Sequence, residues 1–301
     1  MKRVGDLMGH YDLSSMKQNS ILSLSKYKEI KNFFSKNHLD LSLMEEYWVE
    51  LLDYKDDHEA CLHCTSLDTC PKDNKGIKKK LVYRDQEIYL DIESCQYASE
   101  WENKRNILNN YVISNVNDKL LLTNLSELDI LKKPKLTQNE QVALAYVYKY
   151  IKEPTKQGLF LHGESGCGKT TLLAALMNAL AKDGKEVGFI HFPTYLIDLK
   201  ASFSSGSSDY AMEKLMKVDY LLLDGIGEEN VTTFSRDEIL LSILSYRLLN
   251  QLPTFFTSMY GYKDLAKVYT IKKGDEIRVH TLISKIQSLS REIMLDGGKI
   301  G

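Results

Sequence analysis

The sequence predicts an α/β protein in which a three-layer αβα domain, built on a parallel sheet, follows a small and mostly helical N-terminal domain. Three observations carry that prediction. From Gly158 onward, strand-like and helix-like segments alternate, the pattern of a parallel sheet covered on both faces. A glycine-rich run at residues 163–170 lies between the first of those strands and the first of those helices. Four of the five cysteines fall between Cys61 and Cys95, outside the alternating region. At 301 residues the chain exceeds the usual single-domain size, so two packed cores are expected.

Taken in order, the apolar residues from about 21 to 54 (Ile21, Leu24, Ile30, Phe34, Met44, Trp48 and Leu51 among them) recur at mostly helical spacing, which predicts two or more amphipathic helices. After the cysteine segment, Leu81-Val82-Tyr83 and Ile88-Tyr89-Leu90 flank Asp85-Gln86, as in a small hairpin. Between about 115 and 135 the pattern loses periodicity and ends in Lys132-Lys133-Pro134-Lys135; Pro134 disfavours helix at the residue before it. The expected division is an N-terminal domain over 1–114, a linker over 115–135 and a C-terminal domain over 136–301. Thr137-Gln138-Asn139-Glu140 matches a capping box, in which the Thr hydroxyl and Glu carboxylate satisfy free amides at a helix start. Strands are then expected at 159–162, 187–192, 220–223 and 254–258, with helices at 169–181, 194–201 and 235–249. Ser204 to Ser208, with Gly206 among serines, reads as a surface loop.

The formal net charge is −2 and the pI about 6.4, so no global basic field announces nucleic-acid binding and any DNA contact must be local. The N-terminus lacks the apolar core of a secretory signal, and no apolar stretch approaches the roughly 20 residues that span a bilayer. The chain therefore reads as cytoplasmic, with no membrane partner. In a reducing compartment a close set of cysteines more often means metal than cross-links.

Gly163-Glu164-Ser165-Gly166-Cys167-Gly168-Lys169-Thr170 fits G-x-x-x-x-G-K-[ST] and sits after an apolar strand and at the opening of a helix, where a phosphate-binding loop must be. Its glycines let successive amides face the phosphates of a purine nucleoside triphosphate, and the helix N-terminus adds positive potential. Lys169 reaches the β and γ phosphates, Thr170 is the expected Mg2+ ligand, and Thr171 completes the loop's contacts. Cys167 occupies a variable position and reads as a small filler. A second magnesium-holding acid should end a neighbouring buried strand, and Asp224, closing Val218-Asp219-Tyr220-Leu221-Leu222-Leu223-Asp224, meets that description.

The stretches GESGCGKT, LLLDGIGEENVTTFSRDEIL and ILSYRLLNQLPTFFTS resemble the AAA+ ATPases of the bacterial replicative-helicase-loader family, the DnaI/DnaC type, over about residues 136–300. The resemblance implies an AAA+ P-loop domain that binds ATP. It also implies a hexameric replicative helicase as partner, delivery of that ring onto single-stranded DNA, contact with initiator proteins and ATP-dependent self-assembly.

Several positions depart from the family pattern. Loaders of this type usually carry a second acid after Asp224 to polarise the attacking water, and Gly225 stands there. Glu228 or Glu229 is then the candidate for that role. The strand 254–258 should present a group that senses the γ-phosphate; the expected Asn is Met259, leaving Thr257 or Ser258. A C-terminal helix should supply arginines to a neighbour's nucleotide, yet residues 280–287 offer only Lys285, which cannot reproduce a bidentate guanidinium. Arg247, Arg278 and Arg291 are the alternatives. Weak hydrolysis follows as an expectation.

Cys61-x2-Cys64 with Cys70 and Cys95 supplies four thiolates, the number a closed tetrahedral Zn2+ site uses; His58 and His63 compete, and four unligated thiols are the alternative. The family resemblance implies an N-terminal zinc module that grips the helicase, with Cys61, Cys64 and Cys95 as ligands and Cys70 in place of a loop histidine. The basic runs at Lys78-Lys79-Lys80, Lys132-Lys133-Pro134-Lys135 and Lys272-Lys273 read singly as solvated faces, and Tyr260, Tyr262 and Tyr269 as packing residues. Three functions remain: an ATP-dependent helicase loader, a weakly hydrolysing adaptor bridging helicase and initiator, and a transposition-type AAA+ accessory ATPase.

Overall fold

The structure, a computed structural model, describes residues 13–202 and 208–296. Most of the serine-rich loop expected from Ser204 lies outside them. The chain separates into two compact units, residues 1–103 and 104–301.

In the first unit α1 (Leu13–Lys26), α2 (Lys28–Lys36), α3 (Leu43–Glu46) and α4 (Trp48–Cys61) precede a hairpin of β1 (Ile77–Arg84) and β2 (Glu87–Ser94); α5 (Gln96–Asn109) begins in this unit, and its Ile107 belongs to the core of the second. Leu24, Ile30, Phe34, Met44 and Leu51 from the helices and Leu81 and Ile88 from the hairpin form its core. The hairpin keeps full antiparallel register from Ile77↔Ser94 to Arg84↔Glu87. Asp85 and Gln86 both take positive φ, 55° and 66°, as a two-residue turn matched to strand twist requires.

The second unit contains a six-stranded parallel sheet of β3 (Tyr111–Ser114), β4 (Gly158–His162), β5 (Val187–His191), β6 (Tyr220–Asp224), β7 (Thr254–Ser258) and β8 (Ser290–Met294), in the order β3-β5-β6-β7-β4-β8. Residues along each strand alternate between two cores. Leu159, Leu161, Phe189, Leu222 and Phe255 pack under α7 (Gln138–Lys152) and α8 (Lys169–Lys182). Phe160, Ile190, Leu221, Leu223 and Phe256 pack under α9 (Phe192–Ser202), α11 (Leu241–Leu249), α12 (Tyr262–Tyr269) and α13 (Glu276–Leu289). A seven-residue π-helical stretch, Phe234–Leu240, leads into α11, and α10 (Ser208–Lys217) precedes β6.

The capping box at the start of α7 is present: Glu140 N donates to Thr137 Oγ1 at 3.1 Å and Thr137 N to Glu140 Oε2 at 2.8 Å. Glu140 is fully buried and paired with Lys133 at 2.6 Å. The segment 115–135, expected as a linker, carries α6 (Asp118–Leu121) and two 3-10 turns, and buries Leu121, Leu128 and Ile130 in the second unit's core. Its short turns have too few residues to display a helical period, which is why it reads as structureless.

Candidate nucleotide site

The loop between β4 and α8 is shaped by glycines at positive φ: 147° at Gly163, 84° at Gly166 and 95° at Gly168. At Gly163 a Cβ would lie 2.1 Å from the Leu295 carbonyl oxygen, so only glycine fits beside the chain leaving β8. Lys169 opens α8 and is buried. Its ammonium donates to the carbonyls of Gly163 and Glu164, both at 2.8 Å, with Cys167 Sγ at 3.9 Å. Cys167 is itself buried in the core, in keeping with its reading as a filler.

The structure brings the expected acid to this loop. Thr170 Oγ1 donates to Asp224 Oδ1 at 2.6 Å, and Thr257 Oγ1, from the neighbouring strand β7, donates to the same oxygen at 2.6 Å. Ser165, Gly166, Gly168, Lys169, Thr170, Thr171, Asp224, Gly225, Glu228 and Thr257 line one cleft of about 370 Å³. It opens at the carboxyl ends of β4, β6 and β7, where open parallel sheets bind ligands. Of the remaining loop residues, Gly163 and Cys167 are buried and Glu164 is exposed.

The family description of IstB-like ATP binding proteins matches residues 99–287, more than half of the chain. The chain belongs to this family. ATP is accordingly the ligand of its second unit. Similarity extends to the replicative helicase loader DnaI of Bacillus subtilis, 25% identical over 277 residues that cover 90% of this chain and 89% of that protein. Among solved structures, a putative primosome component from Streptococcus pyogenes is 29% identical with a TM-score of 0.53, covering 64% of this chain and 97% of that one. A structure of DnaI is 25% identical with a TM-score of 0.55, covering 66% and 100%.

Within this IstB-like domain the departures acquire physical reasons. Gly225 has φ +77°, and its N–H donates to Thr257 Oγ1 at 2.8 Å; a side chain there would be strained and would press on the His191 ring at 3.3 Å. Of the two candidate glutamates, Glu228 is exposed in the cleft. Glu229 is buried, accepting from Gly227 N at 2.7 Å and Tyr269 Oη at 2.8 Å, and burial pushes its carboxyl above the usual range. Ser258 donates to the Ile226 carbonyl at 2.7 Å, which leaves Thr257 as the polar group of β7 facing the cleft. Met259 also lines it.

Arg247 is fully buried, bonded to six oxygens between 2.7 and 3.3 Å away, and is thus removed from the candidates for reaching a neighbour's nucleotide. Arg278 is exposed on α13 and pairs with Asp237 at 3.3 Å; Arg291 lies over the Tyr146 ring at 5.9 Å. Lys285 is half-buried on α13. Tyr262 and Tyr269 commit their hydroxyls to Ser290 O and Glu229, and Tyr260 packs on the sheet's second core, as packing residues do.

Two contributors to the cleft escape a reading of the sequence. Leu128, Asp129 and Ile130 line it from the segment expected as linker, and His191 lines it from the end of β5. The signal for His191 is its place at the end of an apolar strand that pairs with the Asp224 strand, His191↔Asp224 in register.

In the first unit, Cys64 Sγ donates to the Ser66 carbonyl at 3.2 Å, and burial pushes its thiol pKa up. Amide hydrogen bonds from Lys72 and Gly76 are the main cause of the lowered pKa of the Cys70 thiol. Cys95 accepts from Ala98 N at 3.4 Å. Among the described residues no group of three or more His, Cys, Asp and Glu side chains is gathered as a metal site. His58 is bonded to Tyr27 at 2.7 Å. The run Lys78-Lys79-Lys80 pairs with Glu93, Asp53 and Glu93 in turn, which makes it a neutralised face. No helix among the described residues is long and apolar enough to cross a membrane.

Proposed function

We propose that this protein is an ATP-dependent loader of a hexameric replicative DNA helicase, acting in the cytoplasm on single-stranded DNA. The observation that carries the reading is the reach of the similarity to the Bacillus subtilis loader. It spans 90% of this chain and therefore both units, whereas the IstB-like match begins at residue 99. A transposition-type accessory ATPase needs only the second. Contacts with initiator proteins and ATP-dependent self-assembly belong to the same proposal.

In this reading Gly163, Glu164, Ser165, Gly166, Cys167, Gly168, Lys169, Thr170 and Thr171 hold the triphosphate. Thr170 Oγ1 and Asp224 Oδ1, hard oxygens 2.6 Å apart beside the phosphate loop, fit Mg2+. When bound, Mg2+ neutralises charge on the phosphates. Thr257, tied to Asp224 Oδ1 and to Gly225 N, couples the acid to β7 and so reports on the γ-phosphate. With no acid at 225, turnover is slow and ATP acts chiefly as a switch. This favours the adaptor-like form of the function. The test is transfer of the cognate helicase onto a single-stranded circle. Strand displacement that requires both this protein and ATP is the expected result, and displacement independent of the protein contradicts it.

The first unit is proposed as the helicase-gripping module, with Zn2+ held by Cys61, Cys64, Cys70 and Cys95. Support comes from the Cys61-x2-Cys64 spacing with Cys70 and Cys95 and from the amide donors at Cys70, since N–H bonds to sulfur favour the thiolate that binds metal. Native mass spectrometry is expected to show one Zn2+ per chain. Its removal by chelation is expected to unfold the first unit, read by fluorescence of Trp48 and Trp101, the chain's only two tryptophans. An unchanged mass on chelation, with Zn2+ never present, contradicts the site.

A further inference from the structure

We propose that His191 is the group that positions and deprotonates the water attacking the γ-phosphate. This rests on the proposed ATP hydrolysis and assigns its missing base. Attack by water on a phosphoryl group needs a partner for the water's proton. Among the titratable side chains lining the cleft, Asp224 already accepts from two hydroxyls and Lys169 is cationic. Asp129 is paired with Lys132 at 2.6 Å, and Glu228 sits on an exposed turn. His191 is different in being held from two sides. Its backbone N–H and carbonyl are both bonded to the Asn115 side chain, at 2.8 and 3.1 Å. Its Nδ1 lies 2.8 Å from Thr194 Oγ1, in the first turn of α9. In the tautomer whose Nδ1–H donates to the Thr194 hydroxyl, Nε2 is the free acceptor.

Nε2 faces position 225: a Cβ on Gly225 would stand 3.3 Å from it and 3.4 Å from Cδ2. The glycine therefore leaves open the space in front of Nε2, next to Asp224, and an imidazole takes the place of a carboxylate. In the step, the water oxygen forms a bond to Pγ while the bond from Pγ to the bridging oxygen breaks. That oxygen's electron pair stays on ADP, and the water's proton passes to Nε2 and then to the phosphate product. Asp224, Glu228, Lys169 and Asp129 are the charged groups sharing the cleft with the ring.

The experiment uses the full chain with and without the cognate helicase and single-stranded DNA, measuring ATP affinity and steady-state ATPase in parallel. His191→Ala is expected to lower kcat about 10²-fold with ATP affinity within about twofold. Added imidazole, which fits the space vacated by the ring, is expected to restore part of the rate. His191→Gln, which retains a polar contact to Thr194 and cannot take a proton, covers the case in which the alanine variant folds poorly and is expected to lose kcat equally. Unchanged kcat in His191→Gln, or loss in His191→Ala without imidazole rescue, overturns the assignment while leaving hydrolysis intact. ATP binding with no turnover by the wild-type protein under any of these conditions overturns the hydrolysis reading as well.

Discussion

Replacing Arg247 by Met is expected to destabilise the second unit by ~4 kcal/mol and to lower its Tm by roughly 10 °C. The guanidinium is fully buried and donates to Thr254 Oγ1, to the carbonyls of Leu215, Met216 and Val218, and to those of Asp219 and Pro253. It thereby fastens the end of α10 and the chain entering β6 to the start of β7, the two strands that carry Asp224 and Thr257. Burial pushes its pKa down to about 9 while Asp219 pulls the other way, so it stays protonated at neutral pH. Methionine fills much of the space but leaves several buried carbonyls without donors. Arg247→Lys is expected to recover only part of the loss, because three ammonium donors cannot reach both sides of a fork built for five. Thermal unfolding of the two variants checks both statements. A Tm within about 2 °C of wild type for Arg247→Met contradicts the account of this cluster.

Lys169→Ala is expected to weaken ATP binding about 10²-fold while the sheet remains folded. In the structure the ammonium is held by its own loop, through the carbonyls of Gly163 and Glu164. Bound phosphate offers the same donors stronger, charged acceptors. Two charge-assisted hydrogen bonds of about 1.5 kcal/mol each amount to roughly two powers of ten in affinity. Arg at this position carries the charge on a planar fork too large for a pocket enclosed by Gly163 and Cys167, so Lys169→Arg should also bind weakly. Titration of a fluorescent ATP analogue measures the effect, and affinity within threefold of wild type for Lys169→Ala contradicts the placement of the phosphates.

The legible parts of this chain were those whose chemistry is local in sequence. The phosphate loop announces itself because its glycines, lysine and threonine are consecutive, and the capping box because Thr137 and Glu140 are three residues apart. Asp224 could be read from its place at the end of an apolar strand. The illegible parts depend on distant partners. β3 and β8 are short edge strands whose few apolar residues set no period. Leu128 and Ile130 sit in turns too short to show helical spacing, and yet they are buried and line the cleft. Arg247 resembles any surface arginine until the carbonyls around it are known. The role of position 225 needed both its backbone conformation and the neighbouring His191 ring, which no spacing rule connects.

The central claim, that ATP in this cleft switches a loader bound to a replicative helicase, is tested most directly by the mass of the complex with the cognate helicase, with and without ATP, for wild type and Lys169→Ala. The account predicts a complex of one helicase ring with several copies of this chain for wild-type protein, its stability changed by ATP. It predicts a complex indifferent to ATP for Lys169→Ala. Absence of any complex between the wild-type protein and the helicase, in either nucleotide condition, would contradict it.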